Sequence, residues 1–179
     1  MQGQRVQAKM MDFIGLDVSS TNVGWAQSRN GLVQKCGYEK TTQGKEILST
    51  RVARVFLAVK SILGRLPGQT EVVIEEPFYF RGQLTSMATY SAFGAALASA
   101  RMIGARTRMV NPSSWHSVFF LGGSGGSGEE LKRNIKDRMK MLAPSISQGL
   151  NSEDAADAAA MLWAYIESVK SGNPLGKAI

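Results

Sequence analysis

The chain has 179 residues, 44% hydrophobic and 20% charged, an ordinary globular composition for one domain with a sizeable core. A formal charge of +7 and a pI near 9.8 favour polyanionic partners through long-range attraction. Cys36 is the single cysteine and His116 the single histidine, which excludes an intrachain disulfide, a cysteine-rich zinc site and catalysis that needs several imidazoles.

The first ten residues, MQGQRVQAKM, have no apolar core of the signal-peptide kind and read as a flexible tail, and no apolar run reaches the roughly 18 residues of a membrane span. The expected location is cytoplasmic. Residues 11–170 read as a single domain. Met11 to Val18, Val23 to Ser28 and Leu32 to Tyr38 are short apolar runs split by the turns SSTN and RNG, which predicts an antiparallel meander with the first strand central in the sheet. Val52, Val55, Val59 and Ile62 recur at helical spacing between Gln43 and Leu63, and EVVIEE then reads as a strand. Met87 to Gly104 is crowded with Ala, Ser and Gly, with Ser91, Gly94, Ala98 and Met102 on one helical face. That face fits either close contact with a second helix or packing on the chain's own sheet.

RTRMV reads as a further strand, ended by NPSS. LGGSGGSG, residues 121–128, is too rich in glycine and serine for regular structure and reads as a flexible loop. The next helix, Glu129 to Leu142, sets Leu131, Ile135, Met139 and Leu142 toward a core and Lys132, Arg133, Lys136 and Lys140 over much of the rest. Ser152 caps a last helix whose Ala158, Leu162, Tyr165 and Val169 point inward, and residues 171–179 read as a C-terminal tail. The order implies an α/β fold with a mixed sheet and helices on its faces.

Four acids end elements that otherwise bury apolar residues: Asp17, Glu75, Asp154 and Asp157. Singly, each has an ordinary explanation, since strand ends are solvated and acids in a first turn favour the positive end of a helix dipole. Together they raise a different problem. Two carboxylates roughly 5 Å apart repel by about 3 kcal/mol at an effective dielectric near 20, and six such pairs would approach 20 kcal/mol. Two divalent cations offset the four charges, and oxygen-only ligands suit Mg²⁺ or Mn²⁺. Such a pair activates a water on one side of a phosphodiester and stabilises the leaving oxygen on the other, with Asp17 bridging the ions.

FIGLDVSSTNVGWA, VVIEEPF and SEDAADAAAMLWAY resemble, in order and spacing, the acidic motifs of the RuvC-type Holliday junction resolvases, a branch of the ribonuclease H-like superfamily. The likeness runs from about Met11 to Val169. It implies a ribonuclease H-like fold, with a mixed five-stranded sheet flanked by helices on both faces. It further implies a homodimer that cuts symmetrically related strands of a four-way DNA junction with two Mg²⁺ ions, Mn²⁺ substituting. The family's aspartate of the first strand falls on Asp17, its glutamate on Glu75 with Glu76 as rival, and its closing helical pair on Asp154 and Asp157. Its base-stacking phenylalanine falls on Phe78, a role worth roughly 1 to 3 kcal/mol per stacked base. Phe78 reads equally well as core. Arg81, His116, Lys132, Arg133 and Lys136 are the remaining candidate DNA contacts, and the helical ones among them read equally well as a solvated face. The small-residue helix at Met87 to Gly104 is the candidate dimer contact.

Other readings of the same residues stay open. The first motif also matches the phosphate loop of actin-type ATPases, although those bind nucleotide between two lobes and this chain has room for one. A ribonuclease H acting on RNA–DNA hybrids would need the same acids. A non-catalytic nucleic-acid binder gains nothing from acids facing phosphate.

Overall fold

The computed structural model describes residues 11–42, 45–64, 70–77 and 82–179. Strands β1 (Phe13–Val18), β2 (Asn22–Arg29) and β3 (Leu32–Lys40) form the expected meander. Asn30 and Gly31 close its second hairpin with φ of 52° and 74°, the paired left-handed conformation whose twist suits a two-residue turn. After helix α1 (Leu48–Leu63), β4 (Glu71–Glu75) lies parallel to β1, and after helix α2 (Gln83–Met102), β5 (Arg106–Val110) lies parallel to β4. The sheet order is β3-β2-β1-β4-β5-β6, with β1 inside it.

The sixth strand corrects the expectation of five strands and a C-terminal tail. Lys177–Ala178 returns as β6, antiparallel to β5, and Thr107 Oγ1 donates to the Ile179 carbonyl at 2.7 Å. Two residues carry too little pattern to announce a strand; the open edge of β5 supplies the missing partner groups.

Alternation along β1 and β4 sorts side chains onto two faces. Ile14, Leu16, Val72 and Ile74 meet Val55, Val59 and Ile62 of α1 and Ala92, Ala96 and Ala100 of α2 in a mainly apolar layer, where buried Ser99 donates to the Phe56 carbonyl at 3.1 Å. Each fully buried Val, Leu or Ile side chain there contributes about 1.5–3 kcal/mol. The opposite face is covered by α5 (Glu153–Lys170), against which α3 (Pro112–Phe119) and α4 (Gly128–Leu142) pack. The sequence pattern announces no helix at α3, because NPSS has the character of a strand terminator. The same residues start a helix: the Asn111 side chain accepts from Ser113 N and Pro112 takes the first turn. Residues 121–127 then run irregularly into α4, and Asn134 Nδ2 ties Gly125 O at 2.8 Å. In α4, Ile135 and Met139 are buried as expected, but Leu142 is 39% exposed because the helix ends there.

Helix α5 is capped by Ser152, whose Oγ accepts from Ala155 N at 3.0 Å. It lies unusually close to the sheet, and two glycines permit this. A Cβ on Gly15 would stand 2.7 Å from the Ala158 carbonyl oxygen, and one on Gly24 would overlap the Asp154 carbonyl group. Gly24 is the cross-strand partner of Asp17, so the contact brings the start of α5 to the end of β1 that carries the acid. Farther along, Tyr165 meets Phe13 edge-on at 5.4 Å. The helix therefore runs antiparallel to β1.

Candidate active site

Asp17 sits near the C-terminal end of β1 and Glu75 ends β4; the parallel register, with Leu16 opposite Ile74, makes them neighbours on the α5 side. Asp154 and Asp157 stand one turn apart in the first two turns of α5, the part of the helix that Gly24 admits. The arrangement brings together acids from three distant segments. Burial lifts the Asp17 carboxyl well above the usual carboxylate range, and the charges of Glu75, Asp157 and Asp154 push the same way. Burial also raises Glu75, opposed by hydrogen bonds from the Trp115 indole and from Asp17. Asp157 is pushed up to about 7, first by burial and then by Glu75, Asp154 and Glu153, with Lys132 opposing. Asp154 is raised by burial, less so because of its own backbone hydrogen bond.

Each shift says that negative charge is held here at a cost that protons offset in part. A cavity of about 180 Å³ opens beside Asp17 and Glu75 and is lined also by Ser19 of the β1–β2 turn, Glu76, Pro77 and Thr89 of α2. Glu76 faces differently from Glu75. It accepts from Asn111 Nδ2 at 2.9 Å and has Lys177 Nζ 3.8 Å away, whereas Glu75 Oε1 accepts from Trp115 Nε1 at 2.8 Å. Of the two, Glu75 is the one joined to Asp17.

Asp17, Glu75, Asp154 and Asp157 are the acids whose charges act on one another at this end of the sheet. They offer hard oxygen donors only, the chemistry that suits Mg²⁺ or Mn²⁺. Among the described residues no group of three or more His, Cys, Asp or Glu side chains is drawn together closely enough to hold a metal ion.

The candidate DNA contacts fall into three sets. Phe78 and Arg81 lie outside the described residues. His116 packs edge-on against Trp115, ring centroids 3.9 Å apart, and burial disfavours its charged form. On α4, Lys132 Nζ bridges Glu129 and Glu153 at 3.0 Å each, which carries its charge to the start of α5 beside Asp157. Arg133 is exposed and Lys136 half-buried on the same helix.

Two residues of the site escaped sequence reading. Gly24 could have been noticed as the strand glycine opposite an acid, and Trp115 only through the helix start at Asn111-Pro112.

No family model and no curated protein matches the chain. Solved structures do. A Thermus thermophilus RuvC in complex with a Holliday junction substrate superposes with a TM-score of 0.75 at 18% identity, covering 94% of this chain and 100% of that one. A second T. thermophilus RuvC structure gives 0.71 at 20% identity, covering 93% and 100%. No helix among the described residues is long and apolar enough to cross a membrane. The chain has the α/β fold of these RuvC structures, and it carries four carboxylates at the end of the sheet where β1, β4 and α5 meet.

Proposed function

We propose that the chain is a divalent-metal-dependent endonuclease that resolves four-way DNA junctions in the cytoplasm as a homodimer. The observation that carries this reading is the convergence of Asp17, Glu75, Asp154 and Asp157, each lifted by burial, with no arginine or lysine ion-paired to any of the four among the described residues. A fold that only needed to stand would neutralise such charges internally.

Asp17 feels the charges of Glu75, Asp157 and Asp154 together, which makes it the acid that two ions would share. Two Mg²⁺ ions, when bound, relieve the repulsion, activate water and stabilise the leaving oxygen of the phosphodiester. The chain's own part is to hold the acids in place: Trp115 on Glu75, Ser152 at the head of α5, and Gly24 beneath Asp154. Lys132, paired to Glu153 at the start of α5, and Arg133 and Lys136 farther along α4 offer positive charge to the DNA backbone, and His116 of α3 offers a ring. The RuvC structure that superposes here holds a Holliday junction, which supports a branched substrate.

Helix α2 supports the dimer. Its Ala92, Ala96 and Ala100 face the sheet, leaving Leu84, Met87, Ser91, Gly94, Ala98 and Met102 as an outward seam in which Leu84 is 77%, Met87 51% and Met102 67% exposed. A self-complementary two-fold contact along that seam buries it.

The test offers the purified chain a four-way junction, a linear duplex and an RNA–DNA hybrid, first with Mg²⁺ and then with chelator. Paired nicks in the junction that depend on Mg²⁺ are expected. Asp154→Asn should abolish cutting while keeping or tightening junction binding, because one charge facing phosphate is gone. Preference for the hybrid would reassign the substrate, and ATP hydrolysis without strand cleavage would overturn the nuclease reading.

A further inference from the structure

Helix α3 touches both glutamates that end β4, and treats them differently. Asn111, its cap, accepts from Ser113 N at 3.0 Å and from Ser113 Oγ at 2.6 Å, and spends its amide on Glu76 at 2.9 Å. One turn later Trp115 donates its indole N–H to Glu75 at 2.8 Å. The backbone joins in, since Glu76 N donates to Val110 O at 2.8 Å, so the chain leaves β4 braced against the strand that leads into α3.

An indole nitrogen is a donor only, and a buried one needs an acceptor. Trp115 is 1% exposed and packed in the apolar layer beneath α5, edge-on to Phe119 at 6.3 Å. Ring packing on that scale restricts the side chain, and the hydrogen bond then passes the restriction to Glu75.

We infer that Trp115 is a positioning residue for metal binding: its indole N–H holds the Glu75 carboxylate toward Asp17, so that the two acids present their oxygens to the cation in one fixed arrangement. The inference rests on the nuclease reading above and deepens it. Groups that orient metal-ligating carboxylates contribute 10–100-fold to metal affinity or activity as a rule. Asn111 is the complementary brace, engaging Glu76 and leaving Glu75 as the ligand.

Mn²⁺ binding measured by calorimetry, alongside junction cleavage, tests it. Trp115→Phe keeps an aromatic ring and removes the donor, and the Glu75→Gln background below separates the lost hydrogen bond from the lost volume. It is expected to weaken Mn²⁺ binding roughly 10–100-fold and to lower kcat with the KM for junction unchanged, while excess Mn²⁺ restores cutting. In a Glu75→Gln background the same substitution should change Mn²⁺ affinity by less than about twofold, because the carboxylate it orients is gone. Wild-type affinity in Trp115→Phe, or an equal loss in both backgrounds, overturns the inference and leaves the nuclease reading standing. A wild-type chain that neither binds Mn²⁺ nor cuts overturns both. Should Trp115→Phe fail to fold, the ¹⁵N-indole resonance of Trp115 in the unsubstituted chain decides, assigned by replacing Trp25 and Trp163 with Phe. It should move on Mg²⁺ addition, and an unmoved signal overturns the inference.

Discussion

Glu71 and Glu75 begin and end the same strand, point to the same face of the sheet and lie beneath the same helix, yet their surroundings are opposite. Glu71, 8% exposed, is answered from within the chain: Arg108 Nε reaches it at 2.9 Å, the Tyr165 hydroxyl donates at 3.1 Å, and the Arg108 guanidinium lies 5.8 Å from the centre of the Tyr165 ring. Arg108 in turn donates to the Gly176 carbonyl at 3.4 Å, which ties the C-terminal strand to this end. Glu75 receives one neutral N–H and otherwise faces acids, Asp17 through a hydrogen bond and Asp157 through its charge. The lesson is that burial of a carboxylate does not by itself mark a site. An acid whose charge the fold cancels belongs to the architecture; one whose charge the fold concentrates is set for a cation from outside.

The largest effect that separates the two ends is expected from Asp17→Asn. Junction cleavage should fall at least about 10³-fold, as when one member of a cooperating catalytic set is removed, while the thermal midpoint in chelator does not fall. Cleavage within tenfold of wild type would mean the acidic end is not the site. Arg108→Met is the counterpart at the other end. Leaving Glu71 buried without its cation should cost about 3 kcal/mol in denaturant unfolding, with Mn²⁺ affinity unchanged. Loss of metal binding in that variant would show that the ends are not independent.

The pH dependence of stability sharpens the contrast. Asp157 is lifted to about 7 in the folded chain against a carboxylate's ordinary value near 4, so between those values the folded state binds more protons than the unfolded one. Its stabilising contribution is full below about pH 4 and is lost as pH rises through about 7. In chelator the thermal midpoint should therefore fall from pH 5 to pH 8, and Asp157→Asn should flatten that fall. Added Mg²⁺ at pH 8 should reverse it, by about 2.7 kcal/mol when the ion stands at 100 times its Kd. A midpoint insensitive to pH over this range would contradict the charge crowding. The smallest effect is expected for Lys132→Ala: an unchanged thermal midpoint, and a slope of log affinity for junction against log salt reduced by about 1.

Much of this was legible before any fold was in hand, because the signals are local. Asn30-Gly31 closes its hairpin, Ser152 caps its helix, and Val55, Val59 and Ile62 bury the face their spacing announces. The acids Asp17, Glu75, Asp154 and Asp157 stood out for the same reason: each breaks an apolar pattern at the end of an element. The helix at Asn111-Pro112 was equally local and was missed only because its first residues also suit a strand end. Strand β6 was not legible, since two residues pair there only because β5 offers an edge.

Chain order and periodicity set which residues could share a face. They put Glu75 and Glu76 on opposite sides of a strand and Asp154 and Asp157 on one side of a helix, because backbone geometry repeats every two residues in one and every 3.6 in the other. Which face would become the acidic one was a matter of packing over distances the pattern does not encode. Glycines at 15 and 24 let α5 settle against β1, and α3 arrived with one donor for each glutamate. Close approach, charge crowding and hydrogen-bond partners are properties of atoms brought together from remote segments, and so they exist only once the chain has folded.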